Sequence, residues 1–152
     1  MSKPSRKIVY VIEAVLEIAY SGETQPLQAR DITKRLGIPV RSLEHAFQQL
    51  ARAGILVGAK GPRGGYRLAR ERRRITLGEI ARVTNAFEAS DEPDERLPVT
   101  TPLGTKVVRP LWRELEDFFV ESLDGITIED LCHRAQRAGV AAEYAARLDY
   151  TI

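Results

Sequence analysis

A chain of 152 residues, 43% hydrophobic and 29% charged, has the balance of a soluble globular protein and is long enough to bury a core. No apolar run approaches the ~20 residues of a membrane span. One cysteine excludes an intramolecular disulfide framework and fits a reducing cytoplasm. The net charge of +2 conceals a division, because residues 1–85 hold 16 Lys/Arg against 7 Asp/Glu while residues 86–152 hold 7 against 14. A basic half joined to an acidic half points to a polyanion on one part and another task for the other.

Met1-Ser2-Lys3-Pro4 leads into residues 6–21, where Ile8, Val11, Ile12, Val15, Leu16 and Ala19 form an apolar stripe opposite Glu13 and Glu17. That is a core-facing helix, not a signal sequence. Lys3, Arg6 and Lys7 at its start oppose the helix dipole, which favours an anionic partner there and makes Lys7 a candidate phosphate contact. Residues 22–26 read as a turn. Residues 27–36 read as a second helix with Leu27, Ile32 and Leu36 inward and Gln28 near its cap. Gly37 ends it, and Pro39 marks a break before the next helix.

In that third helix Ile38, Val40 or Leu43, Phe47, Leu50 and Ile55 recur at helical spacing and should pack inward. The opposite face offers Arg41, Ser42, Glu44, His45, Gln48, Gln49 and Arg52, groups suited to base edges and phosphates. Two short helices joined through a tight glycine-containing turn predict a helix-turn-helix. Gly54 stops the third helix. Ile55-Leu56-Val57 and Tyr66-Arg67-Leu68 then flank Lys60-Gly61-Pro62-Arg63-Gly64-Gly65, which predicts a β-hairpin, or wing. Its glycines allow close approach to a surface, and Lys60, Arg63 and Arg67 would neutralise phosphates. A nucleotide-phosphate loop is the competing reading, but there is no Gly-Lys-Ser/Thr and no helix opening after the glycines.

Gly37-Ile38, Leu43-Glu44, Phe47, Leu50, Ala53-Gly54-Ile55-Leu56 and Gly61-Pro62-Arg63-Gly64-Gly65-Tyr66-Arg67-Leu68 together resemble the IscR/NsrR-type (Rrf-type) winged-helix transcriptional regulators, over about residues 6–131. The resemblance implies a mainly α fold, a winged helix-turn-helix with a two-stranded wing and a long C-terminal dimerisation helix. It also implies a homodimer on double-stranded DNA, acting as a repressor. Arg41, Ser42, Glu44 and His45 would enter the major groove, with Glu44 accepting from a cytosine amino group and Arg41 pairing with guanine or phosphate. The family's base-contacting positions fall on Arg41, Glu44 and His45. Arg41 and His45 stand where Ser and Gln are often seen, so the recognised sequence should differ. Lys7, Gln48, Lys60, Arg63 and Arg67 would hold the backbone. In many members three closely spaced cysteines after this domain hold an iron–sulfur cluster. Here that stretch has none, so no cofactor is expected.

Arg70, Arg72, Arg73 and Arg74 follow the wing and either are solvated, touch more phosphate, or contact the acidic half. Thr76-Leu77-Gly78-Glu79 reads as a capping box for a helix running to about Phe87, with Gly78 demanding packing support. Residues 88–106 carry Glu88, Asp91, Glu92, Asp94 and Glu95 with three prolines, and read as a loop. From residue 105 to 123 the chain turns helical again, with Val108, Leu111, Leu115, Phe118 and Phe119 on one face and Trp112 beside them. So apolar a helix offers more surface than a small winged domain covers, and the resemblance makes it an antiparallel dimerisation helix. Thr127-Ile128-Glu129-Asp130 caps a last helix, ended by Gly139. Cys132 falls towards Ile128 and Leu131, as a buried thiol would, with a redox role the sharper alternative. Cys132 and His133 point about 100° apart, poor geometry for one metal. Residues 140–152 read as a short helix or a flexible end.

The division expected is therefore 1–87 winged helix-turn-helix, 88–106 acidic loop, and 107–152 dimerisation and C-terminal helices. With two histidines, one cysteine and no Gly-x-Ser-x-Gly, no catalytic constellation and no metal site can be named. Two competing classes are a protein–protein interaction module on a winged helix and an iron–sulfur regulator with non-cysteine ligands. The signal would be an unknown small ligand or protein co-regulator, or oxidation of Cys132.

Overall fold

The apolar stripe of α1 (Arg6–Ser21) is the surface on which the other elements pack. Ile8, Val11, Ala14, Val15, Ile18 and Ala19 are all buried, and α2, α4, α6 and the wing reach this helix. The computed structural model describes residues 6–21, 25–62, 64–86 and 101–141. Arg63, Lys3, Phe87, the acidic stretch 88–100 and the end of the chain from 142 lie outside the described residues.

The helix-turn-helix forms from α2 (Ala29–Leu36) and α3 (Val40–Arg52), with Pro39 as the residue before α3. Leu43, Ala46, Phe47 and Leu50 of α3 face the core at i, i+3, i+4 and i+7. Strands β1 (Leu56–Ala59) and β2 (Gly65–Leu68) pair antiparallel, Leu56 opposite Leu68 and Ala59 opposite Gly65. Leu27 corrects the expected start of α2. Its N–H donates to the Tyr66 carbonyl at 2.9 Å, and its own carbonyl accepts from the Tyr66 N–H at 2.7 Å. The inner edge of β2 would otherwise bury an unpaired donor and acceptor, so Leu27 is held extended and the helix begins two residues later.

This single bridge against β2 explains Gly65. Its φ is +152°, and a Cβ there would lie 2.5 Å from the Leu27 carbonyl oxygen. Gly65→Ala is expected to destabilise the fold by about 1–3 kcal/mol, read as a lower urea midpoint. An unchanged midpoint would show that Leu27 and β2 are not packed this closely.

After a short 3₁₀ turn, Arg72–Arg74, α4 (Leu77–Val83) begins at Thr76, whose hydroxyl accepts from the Glu79 N–H at 3.1 Å. Only half of the expected capping box is made, because the Glu79 carboxylate turns to Arg70 instead. The helix also stops short of the expected end at Phe87. The Thr84 hydroxyl bonds back to the Ile80 carbonyl at 2.8 Å, and Asn85 takes a left-handed φ of 52°. Asparagine tolerates that conformation better than most residues, so the chain turns there.

Helical backbone resumes at Pro102, earlier than the expected residue 105, and passes through a π-helical turn (Gly104–Val108) into α5 (Arg109–Asp124). Pro110 accounts for the wide turn: its ring has no N–H for the Lys106 carbonyl and would collide with it in regular α geometry. Leu123 is the only buried residue of α5. Next to it, Asp124 accepts both terminal nitrogens of Arg82 at 2.6 Å each, and this guanidinium holds the carboxyl below its ordinary pKa. Gly78 permits the approach, since a Cβ there would meet Asp124 Oδ1 at 1.9 Å. Finally α6 (Ile128–Arg137) opens with a complete Thr127–Asp130 capping box and packs on α1, burying Cys132.

Candidate nucleic-acid interface

Burial of one side of α3 dictates what the other side presents. Arg41, Ser42, Glu44, His45, Gln48 and Arg52 are exposed. Arg41, Glu44, His45 and Gln48 make no ion pair or side-chain hydrogen bond with another described residue. Gln49, expected on this face, is half-buried instead, and its Oε1 is buried with no hydrogen-bond partner among the described residues. At thirteen residues α3 is long enough to present this polar stripe over more than three turns.

The hairpin is fastened to α3 rather than hanging from it. Phe47, on the underside of α3, meets the Tyr66 ring edge-on with centroids 4.9 Å apart. Gln28 Nε2 donates to the Pro62 carbonyl at 3.3 Å and ties the tip of the wing to the start of α2. Lys60 is exposed at the end of β1, and Arg67 is exposed on β2, opposite Val57. Lys7 lies half-buried in the first turn of α1. The Arg63 side chain falls outside the described residues.

Two positioning residues are not legible from local pattern. One is Gln28, above. The other is Arg70, for which the sequence offers solvation, phosphate or the acidic half. Its Nε donates to the Gly54 carbonyl at 3.1 Å and its Nη2 to the Ala53 carbonyl at 3.3 Å, while both terminal nitrogens engage Glu79 at 3.0 and 2.7 Å. A cation on the last carbonyls of a helix is favourable, so Arg70 braces the C-terminal end of α3 against α4. Of its neighbours, Arg72 faces Glu129 of α6 at 3.9 Å and Arg73 pairs with Glu71.

The apolar stripe of α5 is open to solvent. Val108, Leu111, Trp112, Leu115, Phe118 and Phe119 are 42–66% exposed in the single chain. The described residues contain no group of three or more His, Cys, Asp or Glu able to hold a metal ion. Cys132 is completely buried on α6. None of the described helices is long and apolar enough to cross a membrane.

The family model for Rrf2, described as an iron-dependent transcriptional regulator, matches residues 4–134. The chain belongs to the Rrf2 family. It is 32% identical over 126 residues to protein rrf2 of Nitratidesulfovibrio vulgaris, covering 83% of this chain and 84% of that one. With the transcriptional regulator IscR of Cronobacter sakazakii it shares 30% identity over 128 residues, 84% of this chain and 78% of that one. Among solved structures, IscR of T. potens superposes with a TM-score of 0.67 at 30% identity, covering 92% and 93% of the two chains. CymR of B. subtilis, the global cysteine regulator, gives 0.64 at 31% identity, covering 88% and 98%. As an Rrf2 protein the chain is a winged-helix, DNA-binding transcriptional regulator and not an enzyme. The resemblance seen in its wing and recognition helix is thereby borne out.

Proposed function

We propose that this Rrf2 chain is a homodimeric repressor, working in the cytoplasm, that reads double-stranded DNA through α3 and steadies itself on the backbone through the wing. Arg41, Ser42, Glu44 and His45 face the base edges, and Lys7, Gln48, Lys60, Arg63 and Arg67 face phosphates. The observation behind this reading is that the polar side of α3 is exposed and unengaged, next to a hairpin locked to the same helix. The acidic C-terminal half takes up Arg72 and Arg82 instead, which leaves Arg41 and Glu44 available to DNA. An interaction module would not need that separation. What supports dimerisation through α5 is the stripe of six large apolar side chains from Val108 to Phe119 that the single chain leaves in water.

The residues do not fit an iron–sulfur cluster held by thiolates. One cysteine exists in the sequence, and it is buried in the core. We read Cys132 as a packing thiol, so alkylating reagents should leave DNA affinity unchanged.

Selection of bound sequences from random DNA tests the reading. The expected result is a two-fold symmetric site whose half-sites are separated by whole helical turns, about 34 Å each. Recovery of no sequence would remove base readout. Arg67→Ala should weaken binding to every site alike and reduce the salt dependence, lowering the log–log slope by about 0.9. An unchanged slope would take Arg67 off the phosphate.

A further inference from the structure

The apolar stripe of α5 is symmetric about its own middle. Leu111 and Leu115 stand two residues either side of Arg113, and Val108 and Phe118 stand five either side. All four are 48–66% exposed in the single chain. A helix laid antiparallel on a copy of itself brings each position opposite its mirror position. With the two-fold axis at Arg113, Leu111 therefore meets the partner's Leu115, and Val108 meets the partner's Phe118.

Charge follows the same symmetry. Arg109 and Glu116 are both exposed, and a spacing of seven residues puts them on one flank of the stripe, with Trp112 between them. Within its own helix Arg109 has a cation about one turn away on each side, Lys106 and Arg113, and no acid at helical spacing. Neither Arg109 nor Glu116 makes an ion pair with a described residue. Arg109 stands four residues before Arg113, and Glu116 and Asp117 stand three and four after it. In the antiparallel pair each Arg109 thus meets the partner's Glu116 on the shared flank, with the partner's Asp117 next to it. A parallel pair would instead set arginine against arginine and glutamate against glutamate.

We propose that α5 selects a second copy of this chain, and the antiparallel direction, through two symmetric charge contacts, Arg109 of each subunit on Glu116 of the partner subunit. The inference rests on the reading of α5 as the dimer contact and adds what decides partner and direction. Exposed ion pairs contribute little strength, so the apolar stripe supplies the affinity. The charges supply the choice, because a helix with a similar stripe but like charges at these two positions is repelled.

Sedimentation velocity of the full chain over a range of concentrations, without DNA, is the test. The parent should be a dimer. Arg109→Glu and Glu116→Arg each turn two attractive contacts into two repulsive ones, and each should weaken the homodimer about tenfold or more. An equimolar mixture of the two variants should pair as tightly as the parent, because each then offers the charge that the other lacks. Both substitutions combined in one chain should likewise restore the homodimer. Near 1 M salt, where the screening length falls to about 3 Å, these differences should fade. Both positions are exposed, and circular dichroism melts matching the parent's show that no variant has unfolded. Single variants that pair as tightly as the parent, as a parallel arrangement requires, overturn the proposal. A mixture no tighter than its components overturns it too. Either result leaves the α5 dimer standing, whereas a parent that stays monomeric removes the dimer reading and this proposal with it.

Discussion

Leu115→Glu combined with Phe118→Glu is expected to leave the protein monomeric and to lower its affinity for a two-half-site operator by about 10²–10⁴-fold. Both side chains lie on the open stripe of α5, 48% and 66% exposed. Burying two carboxylates in an apolar contact is prohibitive, since each must keep water or find a partner that the opposing stripe does not offer. The single chain should tolerate the change. Its core is built around α1 and α3, and α5 contributes only Leu123 to it. A second copy held next to its half-site acts at an effective concentration set by the tether, and separating the copies forfeits that gain. Sedimentation velocity reads the oligomeric state, and titration against one and two half-sites reads the affinity. A variant that remains dimeric would show that α5 is not the contact.

Glu44→Ala should abolish preference at one base pair, reducing discrimination between the selected site and one altered there by about 1–3 kcal/mol. Glu44 is exposed on the second turn of α3 between buried Leu43 and Ala46. The backbone is held by packing on either side, so truncation removes the acceptor and little else. A carboxylate close to phosphates is unfavourable unless it accepts from a cytosine amino group, and the wrong base leaves it both repelled and unpaired. Affinity for altered sites should therefore rise or hold while that for the selected site falls. Competition titration with both duplexes measures the difference. Equal losses on the two would exclude base readout by Glu44.

Much of this interface was legible because its signals are local. The spacing of Leu43, Phe47 and Leu50 places Arg41, Glu44 and His45 outward without further knowledge, and the structure exposes all three. Gly37 and Gly54 were expected to end helices, and both adopt positive φ, 67° and 75°. The hairpin follows from two apolar runs around glycines, and its register joins the segments anticipated. What sequence reasoning missed depends on partners remote along the chain. Leu27 fits a helical apolar pattern, and only the inner edge of β2, supplied by Tyr66, makes it extended. Gln28 and Arg70 look like surface residues until their targets, the Pro62 carbonyl and the carbonyls of Ala53 and Gly54, are folded beside them. Glu79 matches a capping box in spacing, yet a guanidinium offers it two charged donors where the backbone offers one neutral N–H.

The clasp between Arg82 and Asp124, with Gly78 beneath it, sits at the extreme end of α5. Sixteen residues of helix extend away from it, about 24 Å. In the proposed dimer joined through that rod, the clasp would act as a fulcrum. A tilt of about 5° there swings the far end by about 2 Å, and the reading heads must move apart or together accordingly. In the proposed dimer, the span between the two heads would then depend on how closely Gly78 lets that clasp pack, far from any base.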